Sequence, residues 1–86
     1  MVAGIVVDSI WSTRKDEGLV GLKFMAVKII GGKDEGKLMI AVDTIGAGIG
    51  ERVIVCQGSS ARRMPHIENA PIDAIIIGII DEDCKF

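Results

Sequence analysis

Three glycines at alternate positions constrain the middle of this chain more than any other feature does. Gly46, Gly48 and Gly50 separate two apolar segments, Leu38–Asp43 and Arg52–Gln57. The first segment has the two-residue period of a β-strand, and the second resumes as a strand. Glycine at this density is typical of positive φ angles or of a close approach by another backbone, because a Cβ would clash there. The region is therefore predicted to form strand, tight turn and strand.

Three further segments are predicted to be strands, which brings the total to five. They are residues 2–10, 22–30 and 74–80. The last segment is apolar at both its odd and its even positions, which is typical of a strand covered on both faces. Gly4 predicts a bend or a close backbone crossing in the first strand. Five short strands with one small helical insertion predict an all-β fold, a small OB-like barrel. A small open β-sandwich is the competing fold.

The helical insertion is predicted directly after the fourth strand. Ser59 or Ser60 would cap a short helix over residues 61–64, because a hydroxyl there accepts a free N–H of the first turn. Pro65 or His66 would end the helix.

The size and composition of the chain predict one domain, over residues 1–86, that associates with copies of itself. Of its residues, 49% are hydrophobic, and only Trp11, Phe24 and Phe86 are aromatic. A chain of this length buries only about 60% of its unfolded surface and is marginally stable alone. The apolar surface left over is therefore predicted to lie in subunit contacts.

Neither a membrane segment nor a secretion signal is predicted. The longest apolar run, residues 74–80, is far shorter than the ~20 residues that a membrane helix requires. The N-terminal segment carries no basic leader. Cys56 and Cys84 have no metal-ligand spacing, so both are predicted to be free thiols in a reducing cytosol. Cys56 is expected to be a small core residue and Cys84 to be exposed.

No catalytic, cofactor-binding or metal-binding set is predicted. His66 is a single histidine without nearby cysteines, and it is interpreted as a loop residue. A dinucleotide-binding loop would need glycine where Glu51 stands, followed by a helix. One anion site is conceivable at residues 58–60, beside Arg62 and Arg63. A structural role for Arg62, bridging to a carboxylate or to a neighbouring subunit, is favoured over that site.

An OB-like barrel also raises the alternative of a module that binds single-stranded nucleic acid. Such binding requires aromatic rings for stacking and a basic groove. The chain has no tyrosine and a net charge of −2, so this alternative is disfavoured. Salt-dependent retention of single strands would support it.

The chain resembles the EutN/CcmL family of pentameric vertex proteins from bacterial microcompartment shells. The resemblance covers nearly the whole sequence in order. Its motifs are DTIGAGIGE at 43–51, VIV at 53–55, GSSAR at 58–62, GIVV at 4–7, GLK at 21–23 and PIDAIIIGIID at 71–81.

The resemblance implies a structural protein that forms a ring of five subunits at the corners of a cytoplasmic shell. Its partners would be copies of itself and hexameric shell proteins, with no cofactor, nucleic acid or membrane. Seven residues would lie near the ring axis or border a pore: Thr44, Ile45, Gly46, Ala47, Gly48, Ile49 and Gly50. Five residues would belong to the subunit contact region: Glu51, Ser59, Ser60, Ala61 and Arg62.

Overall fold

Five strands and two short 3-10 helices make up the computed structural model. It describes residues 1–63 and 70–86, without the side chains of Ser60 and Arg62. The strands are β1 (Val2–Ile10), β2 (Lys23–Ile30), β3 (Leu38–Asp43), β4 (Arg52–Gln57) and β5 (Ala74–Ile79). The 3-10 helices are Glu17–Leu19 and Gly58–Arg63. No helix among these residues is long and apolar enough to cross a membrane.

The strands close into a barrel in the order β1-β2-β3-β5-β4, with β4 pairing back onto β1. All pairs are antiparallel except β3 and β5, which run parallel. This order confirms the predicted five-stranded OB-like barrel and excludes the open sandwich. The predicted bounds differ by one residue at two places, because β2 begins at Lys23 and β5 ends at Ile79.

Small aliphatic side chains fill the interior of the barrel. On β2 the inward positions are Met25 and Val27, which are almost completely buried, and their neighbours in sequence face outward or lie at the rim. Val6, Val53 and Val55 occupy the corresponding inward positions of β1 and β4. Because a five-stranded barrel has little internal volume, its core needs no aromatic rings.

A second apolar cluster covers the outside of β3 and β5. Val42 and Ile75 pack there against Ala61 of the second 3-10 helix and against Ala70. Ile75 therefore faces this outer layer while its neighbour Ile76 faces the barrel interior. The predicted burial of the last strand on both faces is confirmed for its first half. The end of the strand differs, since Ile79 is 37% exposed.

The second 3-10 helix begins at Gly58, one residue before the predicted caps. It forms tight 3-10 turns as far as Arg63. The predicted helical Met64 and the predicted stops at Pro65 and His66 lie outside the described residues.

Two predictions about single residues in the strands have different outcomes. Gly4 lies where β1 crosses β2 closely, because a Cβ built on it would stand 2.9 Å from the carbonyl oxygen of Lys28. The close crossing is thus confirmed. Cys56 was predicted to be a core residue, but it lies half-buried at the edge of the outer cluster. Its position on the outward face of β4 explains the difference. Cys84 is exposed, as expected.

Candidate functional site

The carboxylate of Asp43 organises the glycine loop. Asp43 ends β3 and is buried, with 5% of its surface exposed. Its Oδ1 accepts the N–H groups of Ile45 at 3.0 Å and Gly46 at 3.1 Å, and its Oδ2 accepts the N–H of Ala47 at 2.9 Å. The ammonium of Lys23 lies 3.5 Å from Oδ2 and balances the buried charge. Hydrogen bonds to a carboxylate are stronger than neutral ones, so this loop has a defined conformation.

A second carboxylate holds the other half of the loop. Oε1 of Glu51 accepts the N–H of Gly48 at 2.6 Å, and the N–H of Glu51 donates to the carbonyl oxygen of Gly48 at 3.1 Å. Val6 of β1 anchors the far end, where its carbonyl accepts the N–H of Gly50 and its N–H donates to the carbonyl of Glu51. Two acidic side chains and one strand therefore fix the loop at both ends.

The three glycines of the loop have two different roles. Gly46 has a φ of 86° and Gly50 a φ of 90°, and an added Cβ at either would meet no atom within 4 Å. The predicted positive φ is confirmed at these two positions. Gly48 has no positive φ, and its added Cβ would stand 3.1 Å from Oε1 of Glu51. This glycine makes room for the carboxylate that binds its own N–H.

Residues 44–50 carry no charged side chain. Ile45 and Ile49 are 46% and 64% exposed, whereas Ala47 is buried against the barrel interior. Thr44 is also exposed. The seven residues predicted to border the ring axis thus form one compact loop held by hydrogen bonds. Their placement at an axis remains a prediction.

The residues predicted for the subunit contact region do not form one cluster. Glu51 precedes β4 and Ser59 follows it, so the length of the strand separates these exposed residues by roughly 20 Å. Ala61 is completely buried and packs the 3-10 helix onto the barrel. The side chains of Ser60 and Arg62 lie outside the described part of the structure. The contact role of this region also remains a prediction.

Within residues 1–63 and 70–86, no group of three His, Cys, Asp or Glu residues could hold a metal ion. His66 lies outside these residues. The conceivable anion site at residues 58–60 depends on Arg62, whose side chain is not described.

Sequence reasoning missed the role of Asp43 and the anchoring by Val6. The signal for Asp43 is present, since an aspartate at a strand end followed by a glycine three residues later is typical of a side chain that caps the next turn. No local pattern indicates Val6, because its contact with the loop depends on the closure of the barrel.

Comparison with known proteins identifies relatives that match nearly the whole chain. Residues 1–81 match the family model described as "Ethanolamine utilisation protein EutN/carboxysome". The microcompartment shell vertex protein GrpN of Rhodospirillum rubrum is 42% identical, over 94% of this chain and 93% of the relative. The vertex protein EutN of Salmonella typhimurium is 39% identical, over 95% of this chain and 85% of the relative.

Solved structures of such proteins share the fold. CcmL of Gloeobacter violaceus superimposes with a TM-score of 0.87 at 36% identity, covering 94% of this chain and 86% of CcmL. The structure of GrpN, described as a pentameric microcompartment shell protein, superimposes with a TM-score of 0.82 and covers 94% of both chains.

Proposed function

The chain belongs to the EutN/CcmL family, and we propose that it is a structural protein whose pentamers cap the vertices of a bacterial microcompartment shell. The observation that carries this proposal is the full-length match to vertex proteins, among them the pentameric GrpN at 42% identity. In this proposal, residues 1–86 form a single shell domain. The shell lies in the cytoplasm.

The mechanism is geometric. A layer built only from hexagonal units stays flat, and a closed polyhedral shell requires pentagonal units at its corners. A ring of five places one face of each subunit against a different face of the next, which is a heterologous interface. The partners are thus further copies of this chain within the ring and hexameric shell proteins around it. No nucleic acid, membrane or cofactor takes part.

The loop 44–50 lies toward the ring axis in this proposal. Five copies of a loop that meet at an axis must have the same fixed conformation and must not repel one another. The carboxylates of Asp43 and Glu51 fix the loop through its N–H groups. Residues 44–50 themselves carry no charged side chain, and the exposed carboxylate of Glu51 accepts the N–H of Gly48. Residues 59–62 and Glu51 remain proposed contacts with neighbouring subunits.

A structural role is also favoured over an enzymatic one. The acidic groups of the loop, Asp43 and Glu51, bind main-chain N–H groups, so they are occupied in holding the backbone. The nucleic-acid alternative has support only from the barrel topology, which is fold analogy and a poor guide to function.

Two measurements test the proposal. Native mass spectrometry of the purified chain should give five times the 9.2 kDa mass of one subunit. Co-expression with hexameric shell proteins should give closed shells by electron microscopy, and leaving this chain out should give open or elongated ones. A monomer or dimer at all micromolar concentrations, or retention of single-stranded DNA in low salt, would contradict the proposal.

A further inference from the structure

We infer that the subunit contact in the ring joins two different apolar faces of the barrel, and this inference rests on the proposed pentamer. The first is the β3 face, formed by Leu38 and Ile40. The second is the seam face, formed by Ala3, Ile54 and Phe86 where β1 pairs with β4. The β3 face of one copy packs against the seam face of the next copy of the chain.

The β3 face exposes large aliphatic side chains on a regular strand. Leu38 and Ile40 are 67% and 58% exposed, whereas Val42, next on the same side of β3, is buried under the second 3-10 helix and its neighbours. A groove of about 720 Å³ lies alongside and is also lined by Ile10 and Ala26. Adjacent exposed aliphatic residues beside a groove are typical of a protein contact.

The seam face carries an exposed aromatic side chain. The ring of Phe86 is 62% exposed and stands between two apolar grooves of about 460 and 420 Å³. Ala3 and Ile54 line both grooves. The guanidinium of Arg52 fixes the C-terminal segment there by donating to the carbonyl oxygens of Asp81, Cys84 and Phe86. Phe86 is thus held as a projecting aromatic residue, the residue class enriched in protein contacts.

The barrel order separates the two faces. The neighbours of β3 are β2 and β5, so the remaining strands, β1 and β4, pair with each other at a separate place around the barrel. A closed ring needs two different faces on each subunit, one for each neighbour. A self-complementary dimer would need only one face.

The charge balance differs between the edges of the two faces. Lys28 lies directly across from Leu38 on the neighbouring strand and is exposed, and exposed Asp73 lines the groove beside Leu38. The C-terminal segment at the seam face is acidic in balance, since Asp81, Glu82 and Asp83 are exposed with one lysine, Lys85. A contact between the β3 face and the seam face therefore places Lys28 near acidic side chains. A contact between two seam faces would place acidic groups together, which is unfavourable.

The test uses two variants that each remove one face. Leu38→Glu with Ile40→Glu places carboxylates on the β3 face, and Phe86→Glu, alone or with Ile54→Glu, places them on the seam face. Leu38, Ile40 and Phe86 are all more than half exposed, so the barrel should remain folded by circular dichroism. Val20→Glu is the matched control, because Val20 is 66% exposed and lies on neither face.

Each face variant alone should be monomeric in native mass spectrometry, and the control should be pentameric. An equimolar mixture of the two face variants should form a dimer with one copy of each. The first keeps its seam face and the second keeps its β3 face, so one contact forms and cannot extend.

A folded β3-face variant that stays pentameric would overturn the inference and leave the proposed function intact. Two monomeric variants that do not combine would overturn the pairing of these faces. A monomeric wild-type chain would overturn the proposed function and this inference together.

Discussion

The carboxylate of Asp43 accepts the N–H of Ala47 at 2.9 Å, so the last residue of β3 holds the middle of the glycine loop. Both residues are buried, and Ala47 packs into the barrel interior. The loop is therefore an extension of the barrel core, and its conformation depends on the stability of the core.

Asp43→Asn should destabilise the fold. The amide that replaces one carboxylate oxygen presents N–H donors to the N–H groups of the loop, and an unsatisfied buried polar group costs about 1–3 kcal/mol. The free energy of unfolding from urea denaturation measures this loss. Asp34→Asn is the control, because Asp34 forms an exposed ion pair with Lys37, and exposed pairs contribute only about 0–1 kcal/mol. Equal losses for the two variants would contradict this role of Asp43.

Gly46→Ala and Gly48→Ala should destabilise for different reasons. Gly46 has a φ of 86°, where a Cβ costs about 1–2 kcal/mol by backbone strain alone. At Gly48 the added methyl group would crowd the Glu51 carboxylate, 3.1 Å away, and weaken its hydrogen bond.

A double-mutant cycle with Glu51→Ala separates the two causes. Removing the carboxylate should make Gly48→Ala nearly neutral, since the space is then free, and should leave the cost of Gly46→Ala unchanged. The readout is again the free energy of unfolding. Coupling between Gly46 and Glu51 as strong as that at Gly48 would refute this explanation.

The sequence predicted most of the barrel because its strands carry local signals. The alternation in β3 and the two-sided apolar pattern of β5 both indicate strands, and five strands in so short a chain leave few topologies. The prediction that Cys56 is a core residue is wrong. Cys56 lies on the outward side of β4, against the outer apolar cluster. How far this cluster covers β4 depends on the packing of the second 3-10 helix, which no local pattern shows.

The sequence indicated where the glycine loop lies in the chain but not how it is held. The density of glycine predicted a tight turn, and the place of this turn at a ring axis stays a prediction from the family resemblance. The anchoring by Val6 and the exposure of Leu38 are long-range consequences of barrel closure, so no local pattern contains them.

The two cysteines should be dispensable to different degrees. Cys56 is half-buried against the outer cluster, so Cys56→Ala should cost about 1 kcal/mol of lost apolar contact. Cys84 is exposed, so Cys84→Ser should change the free energy of unfolding by less than about 0.5 kcal/mol. Thermal unfolding under reducing conditions measures both. Stoichiometric zinc in the purified protein, or a disulfide needed for folding, would contradict the prediction.

Gly4→Ala should destabilise the barrel far more than Gly78→Ala does. Both glycines lie in strands without positive φ, so neither substitution strains the backbone itself. At Gly4 a Cβ would stand 2.9 Å from the carbonyl oxygen of Lys28, and this backbone atom can move only if β1 and β2 separate. Overpacking of this kind costs about 1–3 kcal/mol, and more where neither strand can shift.

Gly78 is the matched control for that substitution. Its added Cβ would stand 3.5 Å from Cδ1 of Ile54, an ordinary van der Waals distance to the end of a flexible side chain. The free energy of unfolding of the Gly78→Ala variant should therefore lie within about 0.5 kcal/mol of the wild-type value, since the substitution also reduces the entropy of the unfolded chain. Urea denaturation of both variants compares them directly. If the Gly4→Ala variant proves as stable as the Gly78→Ala variant, then the distance between β1 and β2 at Gly4 is larger than in this structure.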